Sequence, residues 1–220
     1  MQPEHWQNWD DPREFLRTMP LWDRTAVRWF SDRKLRLFAA ACCRRALTAC
    51  GDPLVLAAVQ AVEYFVDAKA NVDRQILKSV RKEMFVHKAW SRTTEGRLAR
   101  AVIERNPWAA AIQTSRYSSY LLGGASDRTR QERCNQGPLL RDVIGDPFRC
   151  MTANRRWLSC NVVALARSIY DGRDFHLLPV LGDALEDAGC TDRLVLDHCR
   201  CTVPHTRGCW LTDLILSKSR

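Results

Sequence analysis

Apolar residues recur along most of this chain at three- and four-residue intervals, and the alternation that marks a half-buried strand is nearly absent, so the pattern predicts an all-α protein. With Ser31 or Asp32 as cap, a helix should run to position 50. Leu35, Phe38, Ala39, Cys42, Ala46 and Ala49 form its apolar stripe, and Gly51 ends it. Asp52 followed by Pro53 is the clearest start in the chain. An oxygen-bearing cap precedes a residue whose missing N–H does no harm in the first turn, and Leu54, Ala57, Ala58, Ala61, Val62 and Phe65 follow at helical spacing to about position 70. Val72, Ile76, Val80 and Met84 lie four apart on a third helix, half exposed. Further helices are expected over 94–105 and 107–122, the second broken by Gly123-Gly124.

Positions 125–137, with Arg128, Arg130 and Arg133, are the most polar part of the chain and read as a linker between an N-terminal helical part, 1–124, and a C-terminal part, 138–220. In the latter, Gly137-Pro138 should open a short helix over 139–144, and Ser159 should cap 162–170, ended by Gly172. Asp174 should cap 175–188, kinked or split by Pro179, and Thr191 should cap 192–200. The last helix, 208–217, carries Trp210, Leu211, Leu214, Ile215 and Leu216 almost all round and should be buried. The sum is an irregular bundle of about eight to ten helices, able to pack as one domain.

Composition narrows the class further. A chain of 220 residues with 46% hydrophobic and 27% charged residues has material for a core, which excludes wholesale disorder. Charged residues interrupt every apolar run before it reaches membrane-spanning length. The first twelve positions are polar and acidic and lack the pattern of a secretory signal, so a cytoplasmic protein is expected. The ten cysteines are then read as reduced thiols, with Cys42, Cys50 and Cys160 as small core hydrophobes.

Three blocks in order carry a resemblance: SDRKLRLFAAACCRR at 31–45, LLRDVIGDPFR at 139–149, and the tail 178–218 with ALEDAGC, DHCR and PHTRGCW. Together they resemble an uncharacterised protein family abundant in planctomycete bacteria. The resemblance implies no activity, cofactor or site residue. It does not extend to the Trp-rich start or to the middle of the chain, about 72–133.

Function therefore rests on the residues. The net charge of +9 points to an anionic partner, nucleic acid or an acidic protein surface. Arg33, Arg36 and Arg44 fall opposite the apolar stripe of their helix, flanked by Lys34 and Arg45. With Arg74, Lys78, Arg81 and Lys82 they make a candidate field for phosphate contacts, and no signature for base-specific readout accompanies them. Asp32, Asp73 and Glu83 are interspersed, as on a salt-bridged helix surface. Trp6, Trp9, Trp22 and Trp29 are expected to clamp the N-terminal segment onto the domain.

The tail holds the densest set of metal-ligand types. Cys190, His198, Cys199, His205 and Cys209 offer the thiolate and imidazole donors that zinc prefers, and His205 with Cys209 has knuckle-like spacing. Structural zinc is the candidate cofactor, set against plain core packing. A third reading makes Cys209 a nucleophile with His205 as base and Asp213 one turn on. Of the vicinal pair Cys42 and Cys43, both are expected to pack in the core, and Cys43, at the shoulder of the stripe beside Arg36, is the candidate if either thiol is modifiable. The leading expectation is a basic helical binding or accessory module, working within a larger complex. The zinc-stabilised interaction module and the cysteine-dependent enzyme are its alternatives.

Overall fold

In the computed structural model of the protein, residues 6, 9, 11–22, 30–68, 73–86, 92–124, 126–149 and 151–218 are described, with the side chains of 19–22, 73–76, 84–86 and 126 outside that description. They form eleven α-helices and two 3-10 segments, with no strand among the described residues, which is the all-α class that the periodicity predicts. The helix beyond the expected count is α1 (Pro12–Trp22), whose Phe15 and Leu16 are buried. The chain divides into two compact units, Met1–Leu140 and Arg141–Arg220.

In the first unit α2 (Asp32–Cys50) is the central element, packed most extensively on α6 (Pro107–Gly123) and on α3 (Pro53–Asp67), with α5 (Thr94–Val102) beside them and α4 (Asp73–Val86) against α3. The caps form as expected: Ser31 accepts from the Lys34 N–H, and the Asp52 carboxylate accepts from the Leu54 and Val55 N–H groups. Burial on α2 is wider than the expected stripe. Lys34, Arg36 and Cys43 are all buried, because α2 is covered from several sides. Trp6 is buried against Phe15 and Phe30, with ring centroids 4.9 and 6.2 Å away, so it clamps the N-terminal segment. The Trp22 side chain and Trp29 lie outside the described residues.

The stretch expected as a linker is helical: positions 126–137 belong to α7 (Ser126–Ile144), which continues through Pro138. Its composition misled because its partners are remote in sequence. Glu132 is buried in a two-pronged ion pair with Arg45, both contacts 2.8 Å. Gln136, fully buried, donates from Nε2 to the Ser115 carbonyl and the Ser118 hydroxyl and accepts from the Ser115 hydroxyl at 2.5 Å. Over 126–137 the helix buries polar side chains that find partners, and its buried apolar residues, Leu139, Leu140, Val143 and Ile144, follow in its last turns.

The second unit contains α8 (Cys160–Gly172), α9 (Leu178–Asp187), α10 (Arg193–Arg200) and α11 (Trp210–Ile215), with α9 packed on α10 and α8 on both α9 and α11. Pro179 splits its helix as expected: a 3-10 turn over Phe175–Leu177 precedes α9, which takes the proline in its first turn. Gly182 lets α10 approach closely, since a Cβ there would stand 2.9 Å from that of Cys199. The final helix is shorter than its apolar run, yet Leu211 and Ile215 are buried as predicted. Cys160 is exposed at the first position of α8 and Cys50 is half-buried, so neither is the core hydrophobe expected of it.

Candidate metal centre

The second unit brings one group of metal-ligand side chains to a point: Asp142, His198, His205 and Cys209, whose donor atoms all lie within 4.8 Å of one another. They come from separate parts of the unit. Asp142 is in the last turn of α7, which stops at Gly145, a residue with φ +78 whose missing Cβ leaves room for the Trp210 ring. His198 is in the last turn of α10, His205 is on the connection that follows, and Cys209 is the residue preceding α11.

Asp142 is the hub. Its Oδ1 lies 2.7 Å from His205 Nδ1 and 3.4 Å from His198 Nε2, and its Oδ2 accepts from the Thr206 N–H at 2.8 Å. Cys209 Sγ lies 3.1 Å from His198 Nε2. A tetrahedral zinc site, with bonds of about 2.0 to 2.3 Å, has edges of about 3.3 to 3.7 Å between its donors. The observed separations bracket those edges. Asp142 and Cys209 are fully buried, and the two histidines are half-buried.

The surroundings set the charges. Burial opposes ionisation of Asp142, but the bonds from His198 and His205 outweigh it and hold the carboxyl below its ordinary range. Burial likewise opposes the His205 imidazolium, yet Asp142 and Cys209 raise this histidine to about 9. For Cys209, burial and the nearby Asp142 push the thiol up to about 11, against the pull of His205 and the Thr212 N–H. Without an ion, the site is a buried carboxylate and imidazolium beside a neutral thiol.

Trp210 adds a constraint on loading. Its indole N–H donates to His198 Nδ1 at 3.2 Å, so the ring proton of neutral His198 sits on Nε2, facing Asp142 and Cys209. An ion at Nε2 sends that proton to Nδ1, where it meets the indole donor. Metal loading is therefore expected to break the Trp210 to His198 hydrogen bond. Titration with zinc should change tryptophan fluorescence in the native protein, and Trp210→Phe should abolish most of that change while still binding the ion. An equal response in both proteins would place the signal elsewhere.

Of the tail residues singled out by type, the structure gathers His198, His205 and Cys209, and it leaves Cys190 and Cys199 in the apolar core. Burial pushes the Cys199 thiol up to about 12. Asp142 was missed because it is 63 residues from His205 in sequence. Its signal was an acidic residue between Leu139 and Val143 on an apolar stripe. The nucleophile reading placed Asp213 with His205 and Cys209, but the carboxylate beside them is Asp142, and the Cys209 thiol is buried. Cys42 and Cys43 are both fully buried, as core packing requires, and burial raises the Cys43 thiol well above the ordinary range, which removes the modifiable alternative.

The arginines of α2 are engaged within the first unit. Arg33 pairs with Asp67 at 3.1 Å, Arg44 with Glu63 through two contacts of 2.6 Å, and Arg45 with Glu132. Arg36, expected on the solvent face, is buried and donates to the Glu104 and Arg105 carbonyls at 2.8 and 2.7 Å, while Arg81 donates to the Ile103 carbonyl at 2.6 Å. The two thus serve the carbonyls that follow α5. Lys78 and Lys82 are exposed on α4, and the Arg74 side chain lies outside the described residues. No described helix is long and apolar enough to cross a membrane. No protein-family model, no curated protein and no solved structure matches the chain.

Proposed function

We propose that the protein is a non-catalytic helical interaction module whose C-terminal unit is held by a structural zinc ion. The observation that carries this reading is the convergence of one carboxylate, two imidazoles and one thiol from separate segments on a single buried point. These are the donor types zinc takes, and four protein donors leave no open position for a substrate. The nine described cysteines are free thiols, which accords with a reducing, cytoplasmic setting. Elemental analysis of the purified protein tests the reading: one zinc per chain is expected, lost in Cys209→Ala and in His198→Ala. Absence of bound metal after exposure to zinc at neutral pH overturns it.

The partner is an anionic surface, nucleic acid or acidic protein, reached through the excess of positive charge. With the α2 arginines engaged, the field falls to the exposed side chains of Lys78 and Lys82 on α4, to which Arg97, exposed on α5, adds a third charge. Binding to a nucleic-acid or heparin probe should weaken steeply with salt and fall further in the Lys78→Glu, Lys82→Glu, Arg97→Glu variant. Salt-independent binding, or an unchanged affinity in that variant, removes this surface from the reading.

A further inference from the structure

Resting on the metal reading above, we propose that Cys201 is the positioning residue that makes His205 bind the ion through Nδ1, by holding the opposite ring N–H on its sulfur. The two nitrogens of His205 face different neighbours. Nδ1 lies 2.7 Å from Asp142 Oδ1, and that same oxygen is 3.4 Å from His198 Nε2, which is 3.1 Å from Cys209 Sγ. These contacts string the four donor atoms around one point and put Nδ1, not Nε2, on the ion. Across the ring, Nε2 lies 3.4 Å from Cys201 Sγ.

A neutral imidazole carries one N–H. With an ion on Nδ1 it sits on Nε2, and a metal-bound histidine depends on a partner for that group to fix its ring. Cys201 Sγ is the partner that stands there. The Cys201 S–H is itself directed, donating to the His198 carbonyl at 3.1 Å, so the sulfur presents lone pairs to His205 while its proton ties back to the other histidine. One half-buried side chain therefore ties the His205 ring to the backbone carbonyl of His198. It also stays outside the coordination sphere, which leaves the ion one thiolate, two imidazoles and one carboxylate. That set suits zinc or cobalt(II), whereas a second thiolate would shift preference toward softer ions such as copper(I). The rival arrangement turns the His205 ring over, binds through Nε2 and recruits Cys201 as a ligand in place of Asp142.

Two measurements on the full chain separate these arrangements. In the zinc-loaded, nitrogen-15 histidine-labelled protein, long-range proton–nitrogen correlation should show His205 with a metal-bound Nδ1 and a protonated Nε2, and His198 with a metal-bound Nε2. In the cobalt(II)-loaded protein, Cys201→Ala should keep one cobalt per chain and the full sulfur-to-cobalt charge-transfer band per cobalt, yet lose affinity by about 10- to 100-fold, the range for such outer partners. Cys201→Ser, whose hydroxyl can accept the same N–H, should recover most of that loss. A metal-bound Nε2 on His205, a band halved by Cys201→Ala, or equal affinities for Cys201→Ala and the native protein would overturn the proposal. A native protein that takes up neither zinc nor cobalt fails the metal reading itself, and the proposal falls with it.

Discussion

Zinc at about a thousand times its dissociation constant should stabilise the Arg141–Arg220 unit by about 4 kcal/mol, since an ion that binds only the folded state contributes its full mass-action term. For a unit of this size that is a rise of about 15–30 °C in the thermal midpoint. A chelator should reverse it. The donors lie on elements that only folding brings together, so binding free energy at this site is folding free energy. Cys209→Ala and Asp142→Ala should each remove the zinc-dependent increment. The signature is the contrast between the two in the absence of metal. Cys209 is then a small buried thiol, and its loss costs roughly 1–2 kcal/mol. Asp142 is a fully buried carboxylate that accepts from the Thr206 N–H and both histidines, and deleting it strands those donors at a cost of about 3–5 kcal/mol. The direction with pH follows from the thiol and from His205. Because the ion must displace the Cys209 proton and, below about 9, the second ring proton of His205, affinity should rise with pH, about tenfold per unit for each proton displaced. Calorimetric scans with and without zinc, for the native chain and both variants, check all of this. Equal midpoints with and without the ion would leave the cluster as a hydrogen-bonded core and nothing more.

The helical class was legible because the signals that define it are local. Asp52 and Ser159 cap within three residues of themselves, Pro179 splits a helix by its own missing N–H, and the stripes of α3 and α8 need no knowledge of what they pack on. Where partners are remote, the reading failed. Positions 126–137 looked unanchored because Glu132 and Gln136 are held by Arg45 and by Ser115 with Ser118, residues carried on α2 and α6. Arg36 looked solvent-facing because its acceptors are carbonyls 68 and 69 residues away. The metal centre was half legible for the same reason. His198, His205 and Cys209 are close in sequence and were found by type and spacing, while Asp142 arrives from α7, and only the fold shows that Cys190 and Cys199 turn into the core instead.

Arg44→Glu should unfold the first unit rather than remove a phosphate contact. Arg44 Nε and Nη2 each reach one carboxylate oxygen of Glu63 at 2.6 Å, and Glu63 is almost completely buried on α3. Removing the guanidinium takes a two-pronged ion pair from a buried charge, at a cost of up to about 3–5 kcal/mol, and a second carboxylate in its place adds repulsion. The total stability of such a unit is only about 5–15 kcal/mol. Lys78→Glu and Lys82→Glu, on exposed positions of α4, should change stability by no more than about 0.5 kcal/mol. Urea unfolding followed by circular dichroism separates the two classes, and the exchanged pair Arg44→Glu with Glu63→Arg should recover part of the loss, because attraction is restored though the side-chain lengths no longer match. It follows that lost nucleic-acid binding in an α2 arginine variant reports on the fold, whereas the same loss in the Lys78 and Lys82 variants reports on the surface. A native midpoint for Arg44→Glu would mean that α2 is held to α3 by its apolar stripe alone, and would return Arg44 to the candidates for phosphate contact.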